Sequence, residues 1–245
     1  ARPAEKISRL SELSKEKQKI ASSVGIDIKE SGRAGSFFQL DHSVIYERAK
    51  QKGLEIMSSS KALKKYRWLK NYWWRAIPVD TDKYTAQAEL KQNHGYFIRA
   101  LPGVKVKFPI QACLFISQNG IAQNVHNIII AEEGSEINII TGCTIGSRNV
   151  NALHIGISEF YVKKNAKIIF TMIHSWNENT YVRPRTGAIV EDGGIFISNY
   201  ILLKPVRDLQ AYPTAYLIGR DAKVKFNSII YGSQDSIRDL GSRII

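Results

Sequence analysis

A turn dipeptide followed by alternating apolar and polar residues occurs five times after residue 100, at intervals of about 28 to 32 residues. Repeats of this length are typical of solenoids and propellers, in which each unit buries its apolar side against its neighbours. Each unit has room for one or two strands, hairpin signals are few and no WD-type signature occurs. The repeat therefore predicts a mainly β protein, a parallel β-helix. The five phrases begin at Pro102, Gly134, Asn165, Gly193 and Asp221.

The chain before the repeat is dominated by helix-forming residues. Helices are predicted over residues 5–22 and from Val44 to Gln51, and a third from Lys61 until Pro78 ends it. The sequence thus divides into an N-terminal helical region, residues 1–90, and a β-helix core, residues 91–245. The helical region would cap the open end of the solenoid, where unpaired strand edges invite aggregation.

The third predicted helix is strongly basic and aromatic, within a chain of net charge +13. One interpretation is a nucleic-acid-binding module. The other is a helix that docks its aromatic side chains on the main domain and leaves its basic face in solvent. The aromatic residues follow helical spacing, which favours docking. The basic residues are Lys61, Lys64, Lys65, Arg67, Lys70 and Arg75.

Cysteine usage and hydropathy indicate a cytoplasmic protein. The chain has two cysteines, which is too few for a disulfide-stapled secreted domain. No window approaches the roughly 18 apolar residues that span a bilayer, and the N-terminal stretch has no apolar signal region. A membrane location is therefore not expected.

The two cysteines are predicted to differ. Cys143 follows Gly142 between alternating apolar runs, so we expect it at a turn or a strand end, where the glycine would permit a turn that exposes the sulfur. Arg148 and His154 would favour its thiolate form. Cys113 lies in an apolar run and is expected to be a buried small hydrophobe.

Complete cofactor motifs are absent from the sequence. There is no CxxC pair, no His-x-x-x-His and no phosphate-binding glycine loop. His154 and His174 could be ligands, although a single histidine is more often a hydrogen-bonded core residue. We therefore expect that the chain alone neither hydrolyses ATP nor holds a stable metal cluster, and the identity of any metal stays open.

Several motifs together resemble the SufB and SufD proteins of iron–sulfur cluster assembly. The order of the motifs around Cys143 is similar to the core of that family: Gly142-Cys143-Thr144, Asn151-x-Leu153-His154, Glu159 and Ser175-Trp176. Residues 95–104, 128–135 and 234–245 resemble three further stretches of it. The resemblance covers roughly residues 25–245.

The resemblance implies a right-handed parallel β-helix that serves as an assembly scaffold and is not an enzyme. It implies that Cys143 receives sulfur, and that His154, Glu159, His174 and Trp176 surround a transient iron–sulfur cluster. The implied partners are a SufC-type ABC ATPase, a cysteine desulfurase system as sulfur donor, and a second subunit in a homodimer or a SufB–SufD-type heterodimer. Nucleic acid and membrane are not implied partners.

The sequence also departs from the family pattern. Ile145-Gly146 stands where the family has Ala-Pro, and Phe115 and Ser117 stand where SufB has Arg and Asn. His174 replaces a glutamine. The lysine that follows the tryptophan has no clear match, although Arg183 and Arg185 are near.

A carbohydrate-active β-helix enzyme is the remaining alternative. It would need two carboxylates that face each other across the sugar. The carboxylate pairs Glu132-Glu133 and Glu191-Asp192 are each adjacent in sequence, so their side chains point apart on a strand and are expected to be solvated.

Overall fold

Two sheets form the walls of a β-solenoid of about five turns in the computed structural model, which describes residues 3–146 and 151–245. The mainly β, parallel β-helix predicted from the repeat is confirmed. The described strands are β1 (Gly35–Leu40), β2 (Ser43–Ala49), β3 (Leu54–Ser58), β4 (Tyr96–Ala100), β5 (Ile110–Ile116), β6 (Ile121–Ala131), β7 (Glu136–Ile145), β8 (Ala152–Val162), β9 (Lys167–Ser175), β10 (Thr180–Val190), β11 (Ile195–Leu202), β12 (Asp208–Ala211), β13 (Thr214–Leu217), β14 (Lys223–Ile230), β15 (Ile237–Leu240) and β16 (Arg243–Ile244).

Strands of successive turns stack in parallel and in register. One sheet has the order β14-β11-β9-β7-β5-β1-β2 and the other β15-β12-β10-β8-β6-β4-β3, while β13 pairs with β10 and β16. Ile137 pairs with Ile168, Ile168 with Phe196, and Phe196 with Val224. The first phrase joins the stack through a parallel bridge between Lys105 and Glu136. All five predicted phrases therefore lie on successive turns, as the repeat predicted.

Alternation along each strand separates a lumen from an outer surface. Inward-facing side chains from both sheets form the largest apolar core of the described residues. Phe160 shows how the two walls meet, because its ring centroid lies 4.7 Å from that of Phe170 and 4.8 Å from that of Phe196. The packing of aromatic and branched side chains across the lumen thus holds the two sheets together.

The N-terminal residues cover the outer faces of both sheets. The helices are α1 (Lys15–Ser22), α2 (Ser59–Lys65) and α3 (Lys83–Leu90), with 3₁₀ turns at Leu10–Glu12 and Arg67–Asn71. A cluster around α1 packs on the sheet that contains β7, and another around α2 packs on the sheet that contains β8. No described helix has both the length and the apolar content needed to cross a membrane.

The helix predicted from Val44 to Gln51 is wrong, because residues 44–49 belong to β2 and no residue of this stretch is helical. The strand pairs antiparallel with β1 after a short turn in which Asp41 adopts a φ of 52°. Pairing with the edge of the sheet outweighs the local helix preference. The region before residue 90 thereby contributes β1, β2 and β3 to the two sheets as well as its helices, and the domain boundary at residue 90 stays a prediction.

The other two predicted helices are shorter than expected. Of residues 5–22, only α1 is α-helical, and it begins after the N-cap Ser14. The basic helix ends at Lys65 because Tyr66 adopts an extended conformation, with φ −119° and ψ 102°. From there the aromatic residues follow the surface of the sheet: Tyr66 contacts Phe97, and Tyr72 contacts Tyr161.

Replacing Phe160 by alanine should destabilise the fold by about 3–5 kcal/mol, because a fully buried aromatic side chain leaves a cavity between the two sheets. Urea unfolding followed by circular dichroism measures the free energy of unfolding. Phe108→Ala is the matched control, since Phe108 is 55% exposed and should change stability by less than about 0.5 kcal/mol. Equal losses in both variants would contradict the packing described here.

Candidate functional site

Three side chains with metal- and sulfur-binding chemistry meet in the lumen. Cys143 on β7 pairs in register with His174 on β9, and His154 reaches them from β8 in the opposite sheet. One potential ligand atom from each residue lies within 4.8 Å of the other two. All three side chains are buried. We call Cys143, His154 and His174 the lumen cluster.

Trp176 packs against both histidines of the lumen cluster. Its ring centroid lies 4.9 Å from that of His154 and 5.5 Å from that of His174. The indole is 1% exposed, and its Nε1 has no hydrogen-bond partner among the described residues. Trp176 therefore shields the cluster from solvent on one side.

Hydrogen bonds fix the orientation of the His154 ring. Gln123 donates from Nε2 to the backbone oxygen of Asp41 at 2.9 Å, so its Oε1 faces His154 Nδ1 at 3.0 Å. An amide oxygen only accepts, so Nδ1 of His154 carries the proton. The neutral ring then has its lone pair on Nε2.

His174 is held in a similar way. Its Nδ1 lies 2.9 Å from the hydroxyl of Tyr200. Its Nε2 is buried and has no hydrogen-bond partner within residues 3–146 and 151–245. Burying a ring nitrogen without a hydrogen-bond partner destabilises the fold, so an unpaired nitrogen of this kind needs an explanation. A ligand bound to Nε2 is one explanation, and an uncompensated cost in stability is the other.

Burial sets the charge state of the lumen cluster. It raises the pKa of the Cys143 thiol above its usual range and lowers the pKa of His154 to about 3. The pKa of His174 is also lowered, by burial and then by the neighbouring His154. At neutral pH the cluster therefore consists of a neutral thiol and two neutral imidazoles. The expectation that His154 favours the thiolate is wrong, and Arg148 lies outside the described residues.

Cys143 lies near the end of β7, one of the two expected positions, but it is fully buried, so the expectation of an exposed sulfur is wrong. Gly142 has a different reason to be glycine. A Cβ atom there would come within 2.5 Å of Val24 Cγ2 and 2.7 Å of the Val24 backbone oxygen. The N-terminal residues that cover the outer faces of the sheets, which we call the N-terminal cover, thus pack directly on the outer face of β7 at this position. Cys143 faces the lumen.

Cys113 lies on the opposite face from the lumen cluster. It packs beneath the N-terminal cover with Phe38 and Phe115, and its exposure is 0%. The prediction that it is a buried small hydrophobe is confirmed. Phe115 itself stacks on Phe38, with centroids 6.1 Å apart, so it takes no part in the lumen cluster.

Glu159 is not brought to the lumen cluster. It lies five residues after His154 on β8, so the two side chains point to opposite faces. Its carboxylate accepts hydrogen bonds from the backbone N–H groups of Trp74, Ala76 and Ile77 and lies 2.8 Å from His126 Nε2. Glu159 fastens the N-terminal cover to the sheet, and this contact favours a structural role over cofactor binding.

The arginines nearest to the missing family lysine are also outside the lumen. Arg183 donates to Asp208 at 2.9 Å, and Arg185 donates to Asp82 at 2.7 Å. Both side chains are engaged on the outer face of β10. Neither supplies a positive charge to Cys143.

Gln123 and Tyr200 contact the histidines of the cluster, and no sequence motif predicted them as site residues. The repeat period could have predicted Gln123. Residues about one turn apart in sequence lie side by side, and Gln123 precedes His154 by 31 residues, as Cys143 precedes His174. Applying this period to each candidate residue would have found Gln123.

The lumen cluster lies between a cavity and a surface groove. The cavity, about 330 Å³, continues along the lumen, and Tyr200 and Met172 line its near end. The groove, about 560 Å³, is lined by Thr144, Ser175 and Trp176. Trp176 lines the groove and contacts both histidines, so it lies between the groove and the cluster.

Comparison with known proteins identifies relatives over nearly the whole chain. Residues 114–245 match the family model described as SUF system FeS cluster assembly, SufBD core domain. Iron–sulfur cluster assembly SufBD family proteins of Methanothermobacter thermautotrophicus (strain Winter) and Archaeoglobus fulgidus are 50% and 49% identical over 98% and 96% of the chain. The corresponding protein of Pyrococcus horikoshii is 30% identical over 98%. The chain spans 60%, 62% and 55% of the lengths of these three relatives.

Neither thiol of the folded protein should react readily with iodoacetamide, because both are fully buried. Raising the pH from about 7 to about 9 activates a free thiol, whose pKa is about 8.5. The same change should leave Cys143 protonated, because burial raises its pKa. Mass spectrometry after alkylation checks this, with the urea-unfolded chain as the control in which both thiols react. Rapid labelling of Cys143 in the folded chain would contradict its burial.

Glu159→Ala should destabilise the protein by about 3–5 kcal/mol, because it leaves buried N–H donors and His126 without their acceptor. The change should also expose Trp73 and Trp74, which pack on His126, and so shift the tryptophan fluorescence. Glu191→Ala is the control, since its ion pair with Lys163 is partly exposed and worth less than about 1 kcal/mol. An unchanged fluorescence in Glu159→Ala would argue against the fastening role.

Proposed function

Since the chain belongs to the SufBD family of iron–sulfur cluster assembly proteins, we propose that it is a scaffold component of such assembly and that Cys143 receives sulfur. One observation carries the assignment of the thiol. Three family motifs converge at one place in the lumen: they contribute Cys143 from β7, His154 from β8, and Trp176 from the position directly after β9. A cysteine that served only for packing would not need this convergence of polar groups.

The transfer is a thiol exchange that needs no external oxidant. Cys143 loses its proton and its sulfur attacks the outer sulfur of a donor persulfide, so that a new S–S bond forms and the donor S–S bond breaks. The donor leaves as a thiolate, which takes up the proton. A neutral imidazole of the lumen cluster can carry that proton between the two sulfurs, because one ring nitrogen of each histidine lies within 4.8 Å of the thiol sulfur.

The buried position of Cys143 requires that the donor gains access. The groove lined by Thr144, Ser175 and Trp176 is the proposed path, because Trp176 contacts both histidines of the cluster. Sulfur transfer would follow a local opening at Trp176. Exclusion of water after closure would protect the bound persulfide from side reactions.

The proposed partners are those that the family resemblance implies: a SufC-type ABC ATPase, a cysteine desulfurase system, and a second subunit of the same or of a related chain. The iron–sulfur cluster is the cargo of this process. The chain spans about three fifths of its relatives' length, so these partners are proposed for the whole protein. The proposed setting is the cytoplasm, in which thiols stay reduced.

The two alternative functions gain little support from side-chain contacts. Two basic residues of the aromatic segment are neutralised, since Lys61 lies 2.5 Å from Glu47 and Lys65 lies 3.6 Å from Glu55. This disfavours a nucleic-acid surface there. Among the carboxylates considered for sugar cleavage, Glu191 forms an ion pair with Lys163, and Glu132 binds Arg99 in the same way.

Exposure to a persulfidated donor should add sulfur to Cys143, and Cys143→Ser should abolish that addition while leaving the fold intact, since serine is nearly isosteric. Mass spectrometry of proteolytic fragments locates the added sulfur. Cys113→Ser is the matched control. It should keep sulfur loading while costing about 1–3 kcal/mol of stability, because it buries a hydroxyl. Sulfur on Cys113, or undiminished labelling of Cys143→Ser, would refute the assignment.

A further inference from the structure

We propose that Cys143 Sγ, His154 Nε2 and His174 Nε2 form a binding site for one divalent first-row transition metal ion. The site follows from the geometry of the lumen cluster alone. The choice of Fe²⁺ as the physiological ion rests on the proposed assembly function. A single bound ion is different from a stable cluster, which this chain is not expected to hold.

The ligand atoms are close to a metal-binding arrangement. In a tetrahedral site with metal–sulfur bonds of about 2.3 Å and metal–nitrogen bonds of about 2.0–2.1 Å, neighbouring ligand atoms stand roughly 3.3–3.6 Å apart. One potential ligand atom from each residue of the lumen cluster lies within 4.8 Å of the other two. Metal binding would require these atoms to approach one another by at most about 1.5 Å.

The hydrogen bonds of the cluster present the correct nitrogens. Gln123 holds the proton of His154 on Nδ1, and Tyr200 engages Nδ1 of His174. Metal-binding histidines characteristically donate their second ring N–H to such an outer partner, which fixes the ring orientation. Both Nε2 atoms are thereby left as candidate ligands, and that of His174 has no other partner among the described residues.

Gly156 allows the His154 ring to lie where the cluster forms. It is on the lumen face two residues after His154 on β8. A Cβ atom at Gly156 would stand 2.9 Å from His154 Nε2, so a larger residue would displace the ring.

The metal would change the chemistry of Cys143. Binding displaces the thiol proton to solvent and gives a metal-bound thiolate, so the two neutral imidazoles and one thiolate leave a net charge of +1. Three protein ligands leave a fourth position open to an exogenous ligand. The lumen cavity beyond Tyr200 offers space for such a ligand. An inorganic sulfide or a persulfide sulfur is the class of ligand that suits this position in assembly.

The test uses the untagged, metal-free 245-residue chain under anaerobic conditions, without a sulfur donor, and Co²⁺ as the probe. One Co²⁺ should bind per chain and give a thiolate-to-cobalt charge-transfer band with the intense visible bands of a four-coordinate ion. Fe²⁺ should compete for the same site. Cys143→Ser should abolish the charge-transfer band, whereas Cys113→Ser should leave it unchanged.

Histidine variants separate ligands from bystanders. His154→Gln and His174→Gln should each weaken Co²⁺ binding by more than about 100-fold, and Tyr200→Phe by about 10- to 100-fold, the usual cost of losing an outer partner. His94→Gln is the matched control, since His94 bonds Ser60 outside the lumen and should not change the affinity. Circular dichroism checks that each variant is folded. If a histidine variant does not fold, Tyr200→Phe still tests the site.

Absence of stoichiometric Co²⁺ binding would overturn the metal site, as would a spectrum that is the same in the wild type and Cys143→Ser. Neither result would affect the outcome of the persulfide assay, because that assay needs no metal. Conversely, Co²⁺ binding at the lumen cluster together with a failure of Cys143 to accept sulfur would keep the metal site and refute the sulfur-receiving role.

Discussion

Parallel stacking in register is the constraint on which the rest of this structure depends. Each turn of the solenoid places its strands directly over those of the previous turn, so residues about 31 positions apart become neighbours. The strand period of two then decides whether a residue faces the lumen or the outside. Cys143 and His174 meet through this register, and His154 joins them across the lumen. The same rule sends Glu159 to the opposite face.

A solenoid wall that is apolar on both faces needs a second cover. The outer faces of β7 and β8 are buried by the N-terminal residues, which pack so closely that Val24 leaves no space for a side chain at position 142. Buried contacts such as that of Glu159 with backbone N–H groups hold this cover in place. The cover therefore supports the strands that carry the candidate site, although it contributes no side chain to the lumen cluster.

Burial keeps the lumen cluster uncharged and would strengthen its interaction with a ligand that enters. Desolvation keeps the thiol and both imidazoles neutral, so the cluster adds no unpaired charge to the core. The same desolvation would strengthen any interaction with an ion or a sulfur ligand that enters, because no water competes. Trp176 separates this environment from the surface groove. Access to the cluster, more than intrinsic thiol acidity, would then control its chemistry.

Sequence alone determined the solenoid, because each repeat phrase needs a parallel neighbour to bury its apolar residues. Sequence motifs also predicted Cys143, His154, His174 and Trp176 as site residues, and the structure places these four side chains together. Only the tertiary structure decided that Cys143 is a buried strand residue and that residues 44–49 belong to a strand. The first outcome depends on the N-terminal cover over β7. The second depends on the pairing of β2 with β1, which is itself held by β5 far along the chain. Local propensity carries no information about such partners.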